Sequence, residues 1–175
     1  MNAYLDTTDS PAGPLSFAVD EHDALLWLTF HEGRYERTIE EELARVGHDL
    51  HQDRTRTAAI RLQLEEYCAG TRRGFDFPLA LVGTPWQKLV WRALIEIPFG
   101  QTRTYAQVAA MIGRPTAARA MGRANATNRI PLVIPCHRVI GADGSLTGFG
   151  GGIHLKTRLL AHEARHAGLQ PLAAN

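Results

Sequence analysis

The chain has 175 residues, a hydrophobic content of 45% and a formal net charge of +1. This length allows one domain or two small ones, and the hydrophobic content supports a globular core. No stretch of about 18 apolar residues occurs, so no membrane span is expected. The acidic N-terminus, with Asp6 and Asp9, lacks the basic and apolar leader of a signal peptide. Two cysteines do not make a disulfide framework, and we expect a cytoplasmic protein.

The charge is divided unevenly between the two halves of the chain. Residues 1–83 carry 8 Lys/Arg and 15 Asp/Glu, a balance of −7, whereas residues 84–175 carry 11 and 3, a balance of +8. A basic half of this size is typical of a protein that binds a polyanion. Chance bias, or attraction between the two halves, is the alternative. The asymmetry favours nucleic acid as the partner.

Residues 1–83 have the pattern of a small α/β domain. An alternating pattern predicts strands, and the sequence from Thr38 to Glu41 resembles a capping box that begins a helix. In chain order we predict a strand at 15–19, a turn at 20–23, a strand at 25–30, a helix from 39 to about 46, a helix at 62–69 ended by Gly70, and an extended segment at 75–81.

No catalytic spacing occurs in this first half. His48 and His51 are candidate metal ligands, but an acidic and solvated loop is the simpler interpretation. Cys68 lies within a predicted helix and has no partner nearby in the sequence, so we expect it to be structural.

A domain boundary is predicted at 83–85, which divides the chain into domains 1–83 and 84–175. Thr84 has the position of a helix cap, with Pro85 in the first turn. The predicted elements that follow are a helix at 86–95, a break at 98–100, a helix at 105–112 capped by Thr104, a turn at 113–116, a helix at 117–125, short buried strands at 132–134 and 139–140, a turn at 141–144, and a final helix at about 154–167.

The two short helices joined by a glycine-containing turn are typical of a helix-turn-helix. Ordinary helical hairpins share this pattern, so the composition of the second helix matters. It is rich in alanine, and Arg119 is the one long side chain between Ala117 and Ala120. Small side chains allow such a helix to lie close to a duplex while the arginine projects from it.

The sequence Pro135-Cys136-His137-Arg138-Val139 places a cysteine beside a histidine. A thiol attacks as the thiolate, and an unperturbed cysteine is mostly protonated at pH 7. An adjacent imidazole positioned by a third group is the usual activator. The simpler alternative is a buried cysteine that acts as a small hydrophobic residue. Activation predicts a thiol pKa below its ordinary value.

A second motif, His162-Glu163-Ala164-Arg165-His166, matches the helix of zinc proteases. Two histidines at this spacing can hold zinc with Glu163 as a base. The sequence that follows supplies no third ligand, because the positions of the extended motif hold Leu169 and Leu172. We therefore expect no metal site, although a zinc hydrolase remains an alternative.

Four motifs in order, with matching spacing, resemble the O6-alkylguanine-DNA alkyltransferases of the bacterial type. They are Ala117-Ala118-Arg119-Ala120-Met121-Gly122, the run from Asn128 to Ile140, Leu146-Thr147-Gly148-Phe149, and Leu159-Leu160-Ala161-His162-Glu163. The resemblance covers at least residues 84–168. The opening Ser10-Pro11-Ala12-Gly13-Pro14-Leu15 supports it more weakly.

The resemblance implies a fold and a function. The fold is an RNase H-like α/β N-terminal domain followed by a mainly helical, winged helix-turn-helix C-terminal domain. The function is direct-reversal DNA repair, in which each molecule transfers one alkyl group from O6-alkylguanine, with O4-alkylthymine as a further candidate, to its own Cys136. The implied partner is double-stranded DNA with alkylated guanine. We expect no cofactor, no metal, and a monomer in the absence of DNA.

The resemblance also implies roles for individual residues. His137 accepts the thiol proton through a water, Glu163 holds His137, and Asn128 ties the recognition helix to the segment that carries Cys136. The Tyr105 hydroxyl contacts the flipped guanine, and Arg119 fills the space that the base leaves. The remaining DNA-binding candidates are Ala117, Arg123 and Arg129, and the substrate pocket is expected to include Trp86, Pro131, Val139, Phe149 and Gly150.

The sequence departs from the family pattern at two of these positions. Phe149 replaces the usual pocket tyrosine, and Arg129 replaces a proline and is interpreted as an additional phosphate contact. A non-enzymatic protein that only binds lesions is a second alternative to the alkyltransferase. Cys136 argues against it, because such binders resemble the family with that residue replaced.

Overall fold

The computed structural model describes residues 1–170. The first half contains a four-stranded mixed sheet with two helices. In chain order its elements are β1 (Asn2–Thr8), β2 (Leu15–Asp20), β3 (Leu25–Phe30), α1 (Ile39–Arg45), β4 (Asp49–His51) and α2 (Arg54–Cys68). The strand order is β3-β2-β1-β4, with β4 parallel to β1 and the other pairs antiparallel. The predicted hairpin and the helix at 39 are confirmed.

Two strands and eight residues of helix were not predicted in this half. β1 and β4 form one side of the sheet, so His51 is part of a strand and not of a solvated loop. Helix α2 begins at Arg54, not at Leu62, because Asp53 caps it by accepting from the backbone N–H of Thr55 and Arg56. The predicted extended segment 75–81 makes only an isolated bridge, at Leu79.

The second half is mainly helical. It contains α3 (Pro85–Ile95), β5 (Arg103–Thr104), α4 (Tyr105–Met111), α5 (Ala118–Ala126), a 3-10 turn (Cys136–Arg138), β6 (Val139–Ile140) and α6 (Ile153–Ala167). Capping boxes at Thr84 and Thr104 begin α3 and α4. These bounds confirm the predicted helices to within two residues.

The segment before Cys136 is a turn and not the predicted strand at 132–134. Ile134 N–H donates to the Ile130 carbonyl, and Leu132 has a φ of 77°, a conformation that costs energy for a residue with a branched side chain. The predicted strand at 139–140 does form, as β6, and pairs in parallel with β5. A turn follows at 141–144, closed by a bond from Gly144 N–H to the Gly141 carbonyl.

One hydrophobic core joins the two halves. Phe17 and Leu28 of the sheet and Leu64 of α2 belong to the same buried cluster as Trp91 of α3 and Leu155 of α6. Within residues 1–170, no helix has the length and apolar character needed to cross a bilayer.

Candidate active site

Cys136 begins the 3-10 turn at the end of a fully buried segment. Asn128 fixes this segment through both ends of its side chain. Its Nδ2 donates to the Ile134 carbonyl at 2.8 Å, and its Oδ1 accepts from Ile130 N–H at 2.9 Å. The backbone N–H of Asn128 also donates to the Asn125 carbonyl of α5, so the predicted tie between the end of α5 and the cysteine segment is present, and Cys136 is only 4% exposed.

His137 and Glu163 meet in the interior beside Cys136. The His137 Nε2 lies 2.7 Å from Glu163 Oε1, and both side chains are fully buried. A carboxylate only accepts, so Nε2 carries the proton and Nδ1 is left as an acceptor. His137 Nδ1 is buried and has no hydrogen-bond partner within residues 1–170. The pair predicted from the sequence is thus brought together, with one basic nitrogen free.

The Glu163 carboxylate binds more groups than the sequence predicted. It accepts from the Tyr67 hydroxyl at 2.7 Å, from Gly100 N–H at 2.9 Å and from two nitrogens of Arg138 at 2.9–3.1 Å. Burial alone raises the pKa of Glu163, but its interactions with His137 and Arg138 outweigh burial and hold the pKa well below its ordinary value. Glu163 is therefore ionised, and Arg138 balances its charge.

The Cys136 thiol is neutral in this resting structure. Burial raises the pKa of Cys136 to about 11, although Asn128 and the Lys156 cation act to lower it. Burial also lowers the pKa of His137 below its ordinary value, against the raising effect of Glu163. The predicted low thiol pKa is therefore wrong for the resting protein. The physical reason is desolvation, which outweighs the lowering effects of Asn128 and Lys156 on the thiol pKa.

Lys156 is a buried residue of the site that sequence reasoning missed. Its side chain is fully buried, and Nζ donates to the carbonyls of Val139 and Thr147, the latter at 2.7 Å. Burial lowers the pKa of Lys156 to about 8. Helical spacing carried a signal for it, because Lys156 shares one face of α6 with the buried Leu159 and Glu163.

A chamber of about 220 Å³ opens beside Cys136. It is lined by the predicted pocket residues Pro131, Phe149 and Gly150, and also by Asn125, whose buried Oδ1 has no hydrogen-bond partner in the described chain. The first half contributes residues that sequence reasoning missed, namely Trp27, Leu28 and Tyr35.

Three predicted residues lie outside this chamber lining. The Val139 carbonyl accepts from Lys156 Nζ, and the Tyr105 hydroxyl donates to the Thr147 carbonyl at 3.2 Å. Trp86 belongs to a separate groove with Arg119 and Arg123, and its Nε1 donates to the Ala120 carbonyl. The structure therefore corrects the placement of Trp86, which supports α5 from α3 and does not line the Cys136 chamber.

Helix α5 presents a basic surface next to this groove. Arg119 and Arg123 are exposed, and Ala117 is the N-cap residue that precedes the helix. Arg129 differs from them, because its guanidinium lies over the Trp27 ring, 4.6 Å from the centroid. Its predicted phosphate contact stays a prediction, and in this structure the guanidinium contacts the protein itself. Arg138 and Lys156 are also buried, so the +8 balance overstates the charge on the surface.

The zinc-protease alternative finds no support in the geometry. Glu163 is fully engaged by the groups described above, and His162 Nε2 lies 2.9 Å from the Tyr67 carbonyl. Within residues 1–170, no group of three or more His, Cys, Asp or Glu residues is arranged to hold a metal ion.

The chain is similar to known proteins along nearly its whole length. Residues 85–165 match the family described as 6-O-methylguanine DNA methyltransferase, DNA binding domain. A methylated-DNA–protein-cysteine methyltransferase of Methanosarcina barkeri is 44% identical over 91% of this chain and 96% of its own. A constitutive protein of the same name from Bacillus subtilis is 40% identical over 85% and 87%.

Solved structures agree with these sequence matches. The structure of Mycobacterium tuberculosis OGT in complex with DNA has a TM-score of 0.80 and 41% identity, over 95% of this chain and 94% of that one. A Pyrococcus kodakaraensis O6-methylguanine-DNA methyltransferase, at 22% identity and a TM-score of 0.64, shares the fold. The α/β first half and the helical second half are therefore confirmed.

Glu163→Gln is expected to lower the free energy of unfolding at pH 7 by about 3 kcal/mol, because it leaves buried donors and Arg138 without their carboxylate. The folded-state pKa of Glu163 lies below its ordinary value of 4.5. The contribution of Glu163 to the free energy of unfolding is therefore complete above pH 4.5 and is lost as the pH falls through the folded-state pKa. Urea unfolding of wild type and variant at pH 7, at pH 4.5 and at lower pH measures this loss. The variant should show no such loss below pH 4.5. The exposed Glu96→Gln is the control, and an equal acid response in wild type and Glu163→Gln contradicts the assignment.

The Cys136 thiol is expected to titrate far above neutrality. Cys68 also has a raised pKa, about 11, so the measurement uses the Cys68→Ser protein. Its thiolate absorbance should show no step near the ordinary thiol pKa of about 8.5. The double variant Cys68→Ser/Cys136→Ala provides the baseline. A thiolate step at or below the ordinary value overturns the neutral resting state.

Proposed function

This chain belongs to the methylated-DNA–protein-cysteine methyltransferase family, and we propose that Cys136 is the residue that accepts the alkyl group. The protein repairs O6-alkylguanine in DNA by direct reversal, since the alkyl group moves to the protein and the base is restored. The observation that carries the proposal is the buried contact of His137 with Glu163 beside Cys136, which leaves His137 Nδ1 free as a base.

The reaction is a displacement at the alkyl carbon. A sulfur–carbon bond forms at Cys136, and the bond from that carbon to O6 of guanine breaks. The electron pair stays on the guanine, and the thiol proton passes through a water to His137 Nδ1. The thioether product is stable, so each molecule acts once. No cofactor is required by this balance, because nucleophile and acceptor are the same sulfur.

The neutral resting thiol suits this sequence of events. A thiol that ionises only when substrate fills the site remains protected from other alkylating agents. Glu163 stabilises the imidazolium that His137 becomes, in the way that a carboxylate orients and stabilises a catalytic histidine elsewhere. Tyr105 is proposed to hydrogen-bond the guanine and to neutralise charge as it leaves, with the Gly150 N–H as a donor to O6.

Base extrusion is proposed to depend on helix α5. The alkyl carbon cannot be approached in line inside a duplex, and flipping the nucleotide costs a few kcal/mol. Exposed Arg119 lies at the start of α5 and is proposed to fill the vacated stack, while Ala117 and Arg123 contact the DNA backbone. The partner is double-stranded DNA that contains the alkylated base.

The proposal also covers the domains, the location and a second substrate of the protein. We propose that residues 84–175 form the DNA-binding and alkyl-transfer domain, on an N-terminal domain 1–83 of RNase H-like type. The protein is proposed to act in the cytoplasm, as a monomer before it binds DNA, and to accept O4-alkylthymine as a second substrate. A lesion-binding protein without transfer activity is the alternative, and Cys136 disfavours it.

Cys136→Ala is expected to abolish alkyl transfer and to retain binding to lesion DNA, because the recognition helix and the pocket remain. Intact mass after incubation with an O6-methylguanine duplex should show a gain of one methylene in wild type, mapped to Cys136, and none in the variant. Cys68→Ser is the matched cysteine control and should transfer normally. Continued methyl transfer in Cys136→Ala refutes the nucleophile.

Arg119→Ala is expected to slow repair of duplex O6-methylguanine by about a hundredfold, since it removes a few kcal/mol of support for the flipped state. It should change the rate on free O6-benzylguanine little. The measurement is the single-turnover rate at saturating protein on both substrates. Full recovery at saturation indicates a docking role only, and an equal loss on both indicates a role in the fold. Arg114→Ala, an exposed arginine outside α5, is the control.

A further inference from the structure

The first half of the chain closes one side of the chamber beside Cys136. Trp27 on β3 and Tyr35 in the loop after it line the same chamber as the nucleophile. The contact is fixed by the backbone, because Leu28 N–H donates to the Arg129 carbonyl at 2.8 Å. The segment that leads to Cys136 is therefore attached to the sheet directly at this wall.

Arg129 and Trp27 form one paired surface in this wall. The guanidinium carbon of Arg129 lies 4.6 Å from the centre of the Trp27 ring, within the range of a cation–π contact, and both residues are half-buried. The planar guanidinium covers the ring and holds it in place. Each side chain therefore limits the movement of the other.

The chamber includes Gly150, the proposed donor to O6 of guanine, so a group bonded to O6 enters the chamber beside Cys136. Its lining within the described chain includes neither Tyr105 nor Val139, and the apolar Pro131, Phe149 and Trp27 predominate around the sulfur. A methyl group has about the size of a water molecule, which occupies about 30 Å³. The chamber of about 220 Å³ therefore exceeds the space that a methyl group requires.

We propose that the Trp27–Arg129 pair is a specificity-determining wall that limits the size of the O6-alkyl group this protein accepts. The inference rests on the proposed transfer to Cys136. An alkyl carbon bonded to O6 must lie against the sulfur, and the rest of the group then extends into the chamber. Methyl and other short groups do not reach the wall, whereas aryl-methyl groups such as benzyl press against Trp27.

The test compares single-turnover transfer from duplexes that contain O6-methylguanine or O6-benzylguanine. Trp27→Ala and Arg129→Ala should each raise the ratio of the benzyl rate to the methyl rate by about tenfold, which is at the lower end of the change produced by one methylene of pocket space. The double variant should raise the ratio little further, because either change opens the same wall. Trp27→Phe keeps a ring and should give a smaller increase.

Arg56→Ala is the matched control, because Arg56 forms a similar cation–π pair with Tyr4, away from the chamber. Its ratio should equal that of wild type. An unchanged ratio in the Trp27 and Arg129 variants overturns the proposal. An equal loss of transfer rate on both substrates also overturns it, because it indicates that the wall supports the fold or the guanine. Wild-type protein that transfers neither group to Cys136 refutes the proposed function itself.

Discussion

The buried carboxylate of Glu163 is the interaction on which the rest of the structure depends. It collects donors from three separate segments, which are Tyr67 on α2, Gly100 before β5, and His137 and Arg138 in the turn, all bound to one residue of α6. An unpaired charge in the interior is costly, so each of these donors contributes to the stability of the fold. The same contacts that stabilise the fold also orient the proposed base, and the active site cannot be separated from the core.

Charge balance explains the composition of this cluster. Arg138 supplies a permanent cation beside Glu163 and donates to the Ile97 carbonyl as well, so its own donors are largely used. His137 is then free to stay neutral, which burial favours. A neutral imidazole has an acceptor nitrogen to offer, whereas an imidazolium has none. The arginine of the Cys-His-Arg sequence therefore keeps the histidine in the state in which it can take a proton.

The first half of the chain contributes to function through contact and not through chemistry of its own. Its Tyr67 hydroxyl reaches Glu163, and its Phe30 ring lies 6.4 Å from that of Phe149 in the chamber. Because one hydrophobic core runs through both halves, the sheet forms a rigid support behind the cysteine segment. This half carries a charge balance of −7, opposite in sign to the +8 of the second half.

Local patterns determined the helices of the second half, because capping boxes and 3.6-residue periodicity act within a few residues of chain. The pairing of Cys136 with His137 followed from their adjacency in the sequence, and the contact of His137 with Glu163 was implied by the family resemblance. The sequence did not predict β1 and β4, because strand pairing depends on partners that are distant in sequence. It also did not predict the first turns of α2, because the burial of that helix depends on the sheet. The sequence alone determined which residues are proposed to carry the chemistry. Only the tertiary structure decided that the thiol rests neutral, that Lys156 is buried beside it and that Trp27 lines its chamber, because desolvation and long-range contact exist only in the folded chain.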